Sequence, residues 1–293
     1  MKDDILKHYL EFSIYIDPGL YKDYLIKKLP DNIKEVGQLV RKQIIHRITL
    51  KNGNTGSNTD LRYGDMTKVP WYQQCQDDVL STTSAILSEI FRRDKRGFVK
   101  DRKEKDKLIL TCRFIAILVA SILKSKGIPT RIRSGFAPYF FKGKSVDHWI
   151  NQYWDKKRKK WIMIDIDGCF EDLKFDPFDI PKGIFDFSAD VWLNIRQKKI
   201  SEKRFWNTGG YDGLVAVAWE LFYDFHSLMN NEIIYSYHPE FMLLKNFKDI
   251  KEKQLKEIDE LALLMRSPDE NFDKLKNIWK TKKEWRLLKG GLL

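Results

Sequence analysis

Cysteine is scarce in this chain. Of 293 residues only Cys75, Cys112 and Cys169 carry a thiol. An odd count with no CxxC pair and no Cys/His ligand cluster argues against both a disulfide framework and a zinc site. Long hydrophobic runs are also missing. The most apolar stretch, Phe114 to Leu123, is broken by Ser121 and is too short to cross a bilayer, so no membrane span is expected. The N-terminus, MKDDILKHYLEFSIYIDPG, sets acids beside its first lysine and shows no apolar region leading to a cleavage site. No secretory leader is expected, and a cytoplasmic location is the default. Repeats, low-complexity tracts and Gly/Ser linkers are absent as well.

Apolar residues make up 43% of the chain and aromatics 13%, enough for a packed core and unlike a disordered polymer. Lys and Arg number 53 against 41 acids, a net charge of +12, which favours anionic partners through long-range attraction. Two stretches are densely basic: RRDKRGFVKDRKEKDK (92–107) and DKLKNIWKTKKEWRLLK (273–289). Both read as solvated faces or loops. Neither carries a nucleic-acid recognition motif, and the acids within the first weaken a phosphate-tracking reading.

Helices are predicted at DPGLYKDYLIKKLP, ended by Pro30, and through NIKEVGQLVRKQIIHRITL. Residues 50–64, rich in Gly, Asn, Ser and Thr, read as a surface loop. A further helix is predicted in DDVLSTTSAILSEIFRRD. The segment LTCRFIAILVASILKSKGIPTRIRSGF (110–136) then gives a helix with Thr111 as N-cap and Gly127 and Pro129 as its stop. Its apolar residues cover every side, so it is buried all round. PTRIRSGF follows as a strand, with Arg131 and Arg133 on one face. Two exposed arginines on a strand edge is the plain reading of that pair; the sharper one is a grip on an anionic group.

DHWINQYW (147–154) and WIMIDID (161–167) are aromatic and β-branched runs joined by a polar turn, a hairpin signal. The second strand sets Ile162, Ile164 and Ile166 on one face and carries Asp165 and Asp167 on the other. One register puts His148 opposite Asp165; the alternative puts it opposite Asp167 with Asp165 on the diagonal. From about residue 171 the chain is turn-rich. Helices are then predicted in YDGLVAVAWELFYDFHSLMNNE and in the long basic segment from 249 to 288, broken near Pro268.

A thiol attacks as thiolate, and two devices favour that form: a helix N-terminus and an imidazole that takes the proton. A third group must hold the imidazole in its working orientation. Cys112 at a helix start, His148 on a strand and an aspartate on the next strand supply all three. Singly, each has an ordinary explanation: a small buried hydrophobe, a polar strand residue, a turn-forming acid. Their order and local structure make the combination informative.

These segments resemble the transglutaminase-like superfamily. CRFIAILVASILKSKGIPTRIRSGF is similar to its cysteine helix with the Gly-Ile-Pro-x-Arg exit, DHWINQYW to its histidine strand and WIMIDID to its aspartate strand, a match over residues 108 to 167. More loosely, the pattern resembles an uncharacterised bacterial subgroup. The resemblance implies an α+β fold with a papain/transglutaminase-like core, a buried Cys-bearing helix packed on an antiparallel sheet, and helical N- and C-terminal extensions. It implies a mainly helical part over 1–107, the catalytic motif region over 108–170 and a helical extension over 171–293. The roles implied are Cys112 as nucleophile, His148 as general base then acid, and Asp165 as orienting carboxylate. The reaction would be acyl transfer through a thioester, as amide hydrolysis or transamidation, on a peptide, amide or small acyl substrate, with no cofactor or metal.

The sequence departs from the family pattern in places. Leu110 stands where a glycine is frequent, Phe114 and Ile115 where a polar residue is common, and Gln152 where an acid is common. Asp165 is followed by Ile-Asp instead of Pro, which leaves Asp167 as a rival. Trp71, Gln73, Gln74 and Gln76 are the candidates for the oxyanion donor. Cys75 and Cys169 read as structural, and His8, His46, His226 and His238 stand in no suggestive pattern. The competing class is a non-catalytic scaffold of the same fold that binds an anionic partner through basic patches; nucleic-acid binding ranks third.

Overall fold

The structure is a computed structural model. It describes residues 1–46, 50–51, 57–58, 65, 68–73, 79–170, 172–235, 239, 242 and 247–286. The described helices are α1 (Asp3–His8), α2 (Lys22–Lys28), α3 (Ile33–Arg41), α4 (Thr83–Arg93), α5 (Cys112–Ser125), α6 (Ser188–Arg196), α7 (Gly213–Leu228), α8 (Glu252–Met265) and α9 (Phe272–Thr281). The strands are β1 (Ile44–Ile45), β2 (Leu50–Lys51), β3 (Ser57–Asn58), β4 (Leu108–Ile109), β5 (Thr130–Ala137), β6 (Ser145–Asp155), β7 (Lys160–Ile164), β8 (Asp186–Phe187) and β9 (Phe205–Trp206). The fold class is α+β, as expected. The chain forms two compact units that interleave in sequence. A cysteine unit comprises Tyr9–Arg131 and Ile150–Ile180; a histidine unit comprises Met1–His8, Ile132–Trp149 and Pro181–Leu293. Strands β5 and β6 each contain residues of both units.

The cysteine unit is built around α5, every residue of which is buried. With Phe114, Ile115, Ile117, Leu118, Val119, Ile122 and Leu123 spread around its circumference, no face is left polar, and α2, α3 and α4 pack against it. Burying each such side chain stabilises the fold by roughly 1.5–3 kcal/mol. The helix ends in a Schellman motif: Gly127 N–H bonds Lys124 O at 2.9 Å and Ile128 N–H bonds Leu123 O at 3.0 Å. Gly127 takes φ +73°, which only glycine adopts at little cost. Its two buried cations are satisfied at the ends of the helix. Lys124 Nζ donates to Glu11 O at 2.7 Å, and Arg113 donates to Ser81 O at 3.3 Å under the Tyr15 ring.

Two expectations need correction here. The helix predicted through residue 50 ends at Arg41. Gln43 turns the chain by donating its side-chain N–H to Leu39 O and Val99 O, both at 2.7 Å, and Ile44–Ile45 then pair in parallel with Leu108–Ile109. Two β-branched residues beside a complementary apolar pair prefer the strand to another helical turn. The predicted 50–64 loop contains the short antiparallel pair β2–β3, and its remaining residues lie outside those described.

The hairpin forms, with Asp155↔Lys160, Trp154↔Trp161, Gln152↔Met163 and Asn151↔Ile164 as partners. This is the register that extrapolates to His148 opposite Asp167. The ladder ends at Asn151↔Ile164, short of His148 and of both aspartates. Asp165 has already left the strand: its N–H bonds Pro177 O at 2.8 Å, and Asp167 begins a 3-10 turn. The alternating face read over 161–167 therefore stops before its acids.

In the histidine unit α7 packs on α6 and β9, α6 on α8, and α8 on α9. The break at Pro268 falls between α8 and α9 as predicted, whereas α6 has no counterpart in the sequence reading. Trp192 Nε1 donates to Asp259 at 2.7 Å and Arg196 pairs with the same carboxylate at 3.1 Å, tying α6 to α8. Here β5 pairs antiparallel with β8 and β6 pairs in parallel with β9.

Candidate active site

Cys112 is the first residue of α5; it is buried and forms no disulfide. Leu110 N–H bonds Ile45 O at 3.1 Å, which fixes the approach of the chain to the helix through the β1–β4 pair. Thr111 occupies the N-cap position, but its side chain makes no capping bond, contrary to the role expected of it. It sits in extended backbone at φ −97°, ψ 179°, while the carbonyl of the same residue starts the helix by accepting from Phe114 and Ile115 N–H. A helix start carries partial positive charge, which in general favours an anionic sulfur placed there.

Asp165 lies in the same unit and is fully buried. Its Oδ1 accepts from Gly168 N–H at 2.9 Å. A Cβ on residue 168 would stand 2.6 Å from Asp165 Oδ2, so the carboxylate is seated directly on this glycine. The rival, Asp167, is engaged elsewhere in the unit: Arg41 Nη1 stands 3.3 Å from one oxygen and His46 Nε2 3.2 Å from the other. Arg41 and His46 were outside every sequence pattern, and they separate the two aspartates by their partners.

β6 meets the cysteine helix through Asn151, whose Nδ2 donates to Ala116 O at 2.9 Å. His148 precedes it on the same strand and belongs to the histidine unit. The imidazole is buried, edge-on to Phe140 at 4.9 Å between centroids and to Tyr139 at 6.5 Å. Beside it in sequence is Asp147, which accepts from Thr208 N–H at 2.8 Å. Burial pushes the Asp147 carboxyl up to about 6, against the opposing pull of the Thr208 bonds and of the charge on His148. Glu220 of α7 is held well above the ordinary carboxylate range, first by burial and then by repulsion from Asp147. Neither acid was singled out from the sequence. Asp147 could have been, as a carboxylate adjoining the proposed base; Glu220 carries no local signal.

The arginines are not an exposed pair on an edge. Arg131 is buried, donates to Gln152 Oε1 at 2.7 Å and lies 4.2 Å over the Trp161 ring. Arg133 is buried and bound at both ends of its fork to Asp224, at 2.8 Å each. Both are consumed by the interior, which removes the anion-grip reading. In the basic run at 92–107, Arg92 and Arg93 pair with Glu89, Arg96 with Asp94 and Asp101, and Lys107 with Glu104; Arg102 is buried, while Lys95, Lys100, Lys103 and Lys105 are exposed. Of the oxyanion candidates, Trp71 to Gln73 form a short 3-10 turn, and Gln74, Gln76 and Cys75 lie outside the described residues, as does His238.

No family model matches the chain, and no curated protein matches it. Among solved structures, that of a "putative cysteine protease" from Cytophaga hutchinsonii is similar at 14% identity and a TM-score of 0.36. The similarity covers 65% of this chain and 50% of the other, so this chain spans about half of that protein. A likeness of that depth does not carry an activity from one protein to the other.

Proposed function

We propose that this chain is a cysteine-dependent hydrolase or acyltransferase of the transglutaminase-like type, with Cys112 as nucleophile, His148 as base then acid, and Asp165 orienting the imidazole. The observation that carries the reading is a buried thiol, outside any disulfide, at the first position of a helix whose N-terminal dipole favours the thiolate. The seating of Asp165 on Gly168, and the engagement of Asp167 by Arg41 and His46, favour Asp165 over its rival.

In this mechanism His148 takes the thiol proton and the sulfur attacks an amide carbonyl. The tetrahedral intermediate collapses as the C–N bond breaks, and His148 returns the proton to the leaving amine. The thioester is then attacked by water or by a second amine, which gives up its proton to His148; the C–S bond breaks and the thiol is restored. Backbone N–H groups at the start of α5 supply part of the oxyanion hole. Peptides and other amides, including sugar–asparagine linkages, fall within this chemistry.

The test is alkylation by iodoacetamide across pH, with the labelled residue found by mass spectrometry and Cys112→Ala as control. Cys112 is expected to react at a pH below that of an ordinary thiol, and His148→Ala to abolish the advantage. Labelling no faster than in the urea-unfolded chain would overturn the proposal.

A further inference from the structure

Inside the cysteine unit lies a buried charged cluster that the proposed mechanism does not use. It joins three parts of the chain: Arg41 at the end of α3, His46 just past β1, and Asp167 after the end of β7. All three are buried. Arg41 Nη1 stands 3.3 Å from one oxygen of Asp167, and His46 Nε2 stands 3.2 Å from the other. A buried ion pair seldom adds net stability over a well-packed apolar pair, because desolvation offsets the attraction. What it provides is geometry. A carboxylate held at both oxygens by groups on two elements has little freedom to turn.

That constraint passes along the covalent chain to Asp165. Asp167 opens the 3-10 turn Asp167–Phe170, and the next residue, Gly168, supplies the N–H that donates to Asp165 Oδ1 at 2.9 Å. One planar peptide joins the Asp167 carbonyl to that N–H, so fixing residue 167 aims the donor. Ile166, between the two aspartates, lies against α3: a Cβ on Gly37 would stand 2.5 Å from its Cδ1. Asp165 N–H is tied to Pro177 O at 2.8 Å. The turn is thus held at 165, 166 and 167 in succession.

The other end of the cluster leads to the nucleophile. Ile45, the residue before His46, pairs with Ile109 in the β1–β4 ladder and accepts from Leu110 N–H at 3.1 Å. Leu110 is two residues before Cys112. A line of bonded neighbours therefore runs from the start of α5 through β1 and His46 to Asp167, and on to the seat of Asp165.

We propose that Arg41, His46 and Asp167 are positioning residues, a buried strut that fixes the Asp165 carboxylate relative to the head of α5. This inference rests on the reading of Asp165 as the orienting carboxylate, and it gives the rival aspartate a task of its own. The three residues act through Asp165 and not on the substrate.

The experiment measures the rate at which iodoacetamide alkylates Cys112 at pH 7 in the full chain, as a double-mutant cycle. His46→Ala comes first, because it leaves Arg41 and Asp167 paired. It should slow alkylation about tenfold, and His46→Gln, which keeps an N–H donor at similar reach, should recover most of the loss. In an Asp165→Asn background, His46→Ala should have no further effect, a result that general loosening of the fold would not give. Should His46→Ala fail to fold, Asp167→Glu, which keeps the charge but shifts the carboxylate by one methylene, goes through the same cycle. A wild-type rate in the single variant, or an equal slowing with and without Asp165, overturns the inference. The two readings fail distinguishably. A wild-type thiol no faster than in the unfolded chain sinks the enzyme and the strut with it, whereas a fast thiol with an additive cycle sinks the strut alone.

Discussion

At the scale of single residues, the telling contact is Asp165 on Gly168. No side chain but hydrogen fits there, because a methyl group would lie within 2.6 Å of a carboxylate oxygen, far inside van der Waals contact. Gly168→Ala should therefore push the carboxylate off its seat and, on the proposed mechanism, slow the reaction of the thiol. We expect about a tenfold slower alkylation of Cys112 at neutral pH, with rates converging at high pH where the thiol ionises unaided; equal rates throughout would remove Asp165 from the mechanism. Cys112, His148 and Asp165 stood out as candidates in the sequence because each sits in a segment with its own periodicity or turn signal. The partners of Asp167 were not legible, since Arg41 and His46 are brought to it from a distant part of the chain. Arg131 and Arg133 misled for a related reason: a strand's alternation tells which residues share a face, not whether aromatic rings and an aspartate wait on that face.

At the scale of elements, α5 was read correctly along its length because its apolar residues leave no polar side, a pattern that only an enclosed helix tolerates. Its stop was read as well, from Gly127. Gly127→Ala tests that stop alone: there is open space for the methyl, so the cost is the left-handed backbone, about 1 kcal/mol, measured as a lower urea midpoint. Cys112 reactivity should be untouched, since the change lies at the opposite end of the helix. The hairpin shows where element-level reading stops. Its strands and two candidate registers were available from the pattern, but the choice between the registers and the point at which pairing ends were not, because Asp165 leaves the ladder for a carbonyl at Pro177.

At the scale of the whole molecule, buried ionisable groups set how stability responds to pH, and they act in opposite directions. His226 of α7 donates from Nδ1 to Phe222 O and lies edge-on to Trp279, and burial lowers its pKa from the ordinary 6.5 to about 4. Its folded-state value is depressed, so the unfolded chain binds the proton first. The contribution is present above pH 6.5 and is lost as pH falls toward 4. Asp147 is the reverse case. Its folded value is raised to about 6, so its contribution is full below the unfolded value of 3.8 and is lost as pH rises through 6. Between pH 4 and 6 the two slopes oppose one another. Substituting His226→Gln removes one of them. The stability of the wild type relative to this variant, from urea unfolding, should drop by about 3 kcal/mol between pH 7 and pH 4, and a constant difference would show that His226 does not titrate as a buried neutral ring.

The interleaving of the two units has a consequence for the order in which the protein is made. Residues 132–149, with the base and its aspartate, leave the ribosome before any of the residues from 181 onward that complete their unit. When Ile180, the last residue of the cysteine unit, has emerged, Thr208, which bonds Asp147 beside His148, has yet to be made. On the proposed mechanism, the nascent chain thus carries its nucleophile before the residues that complete the unit of its base.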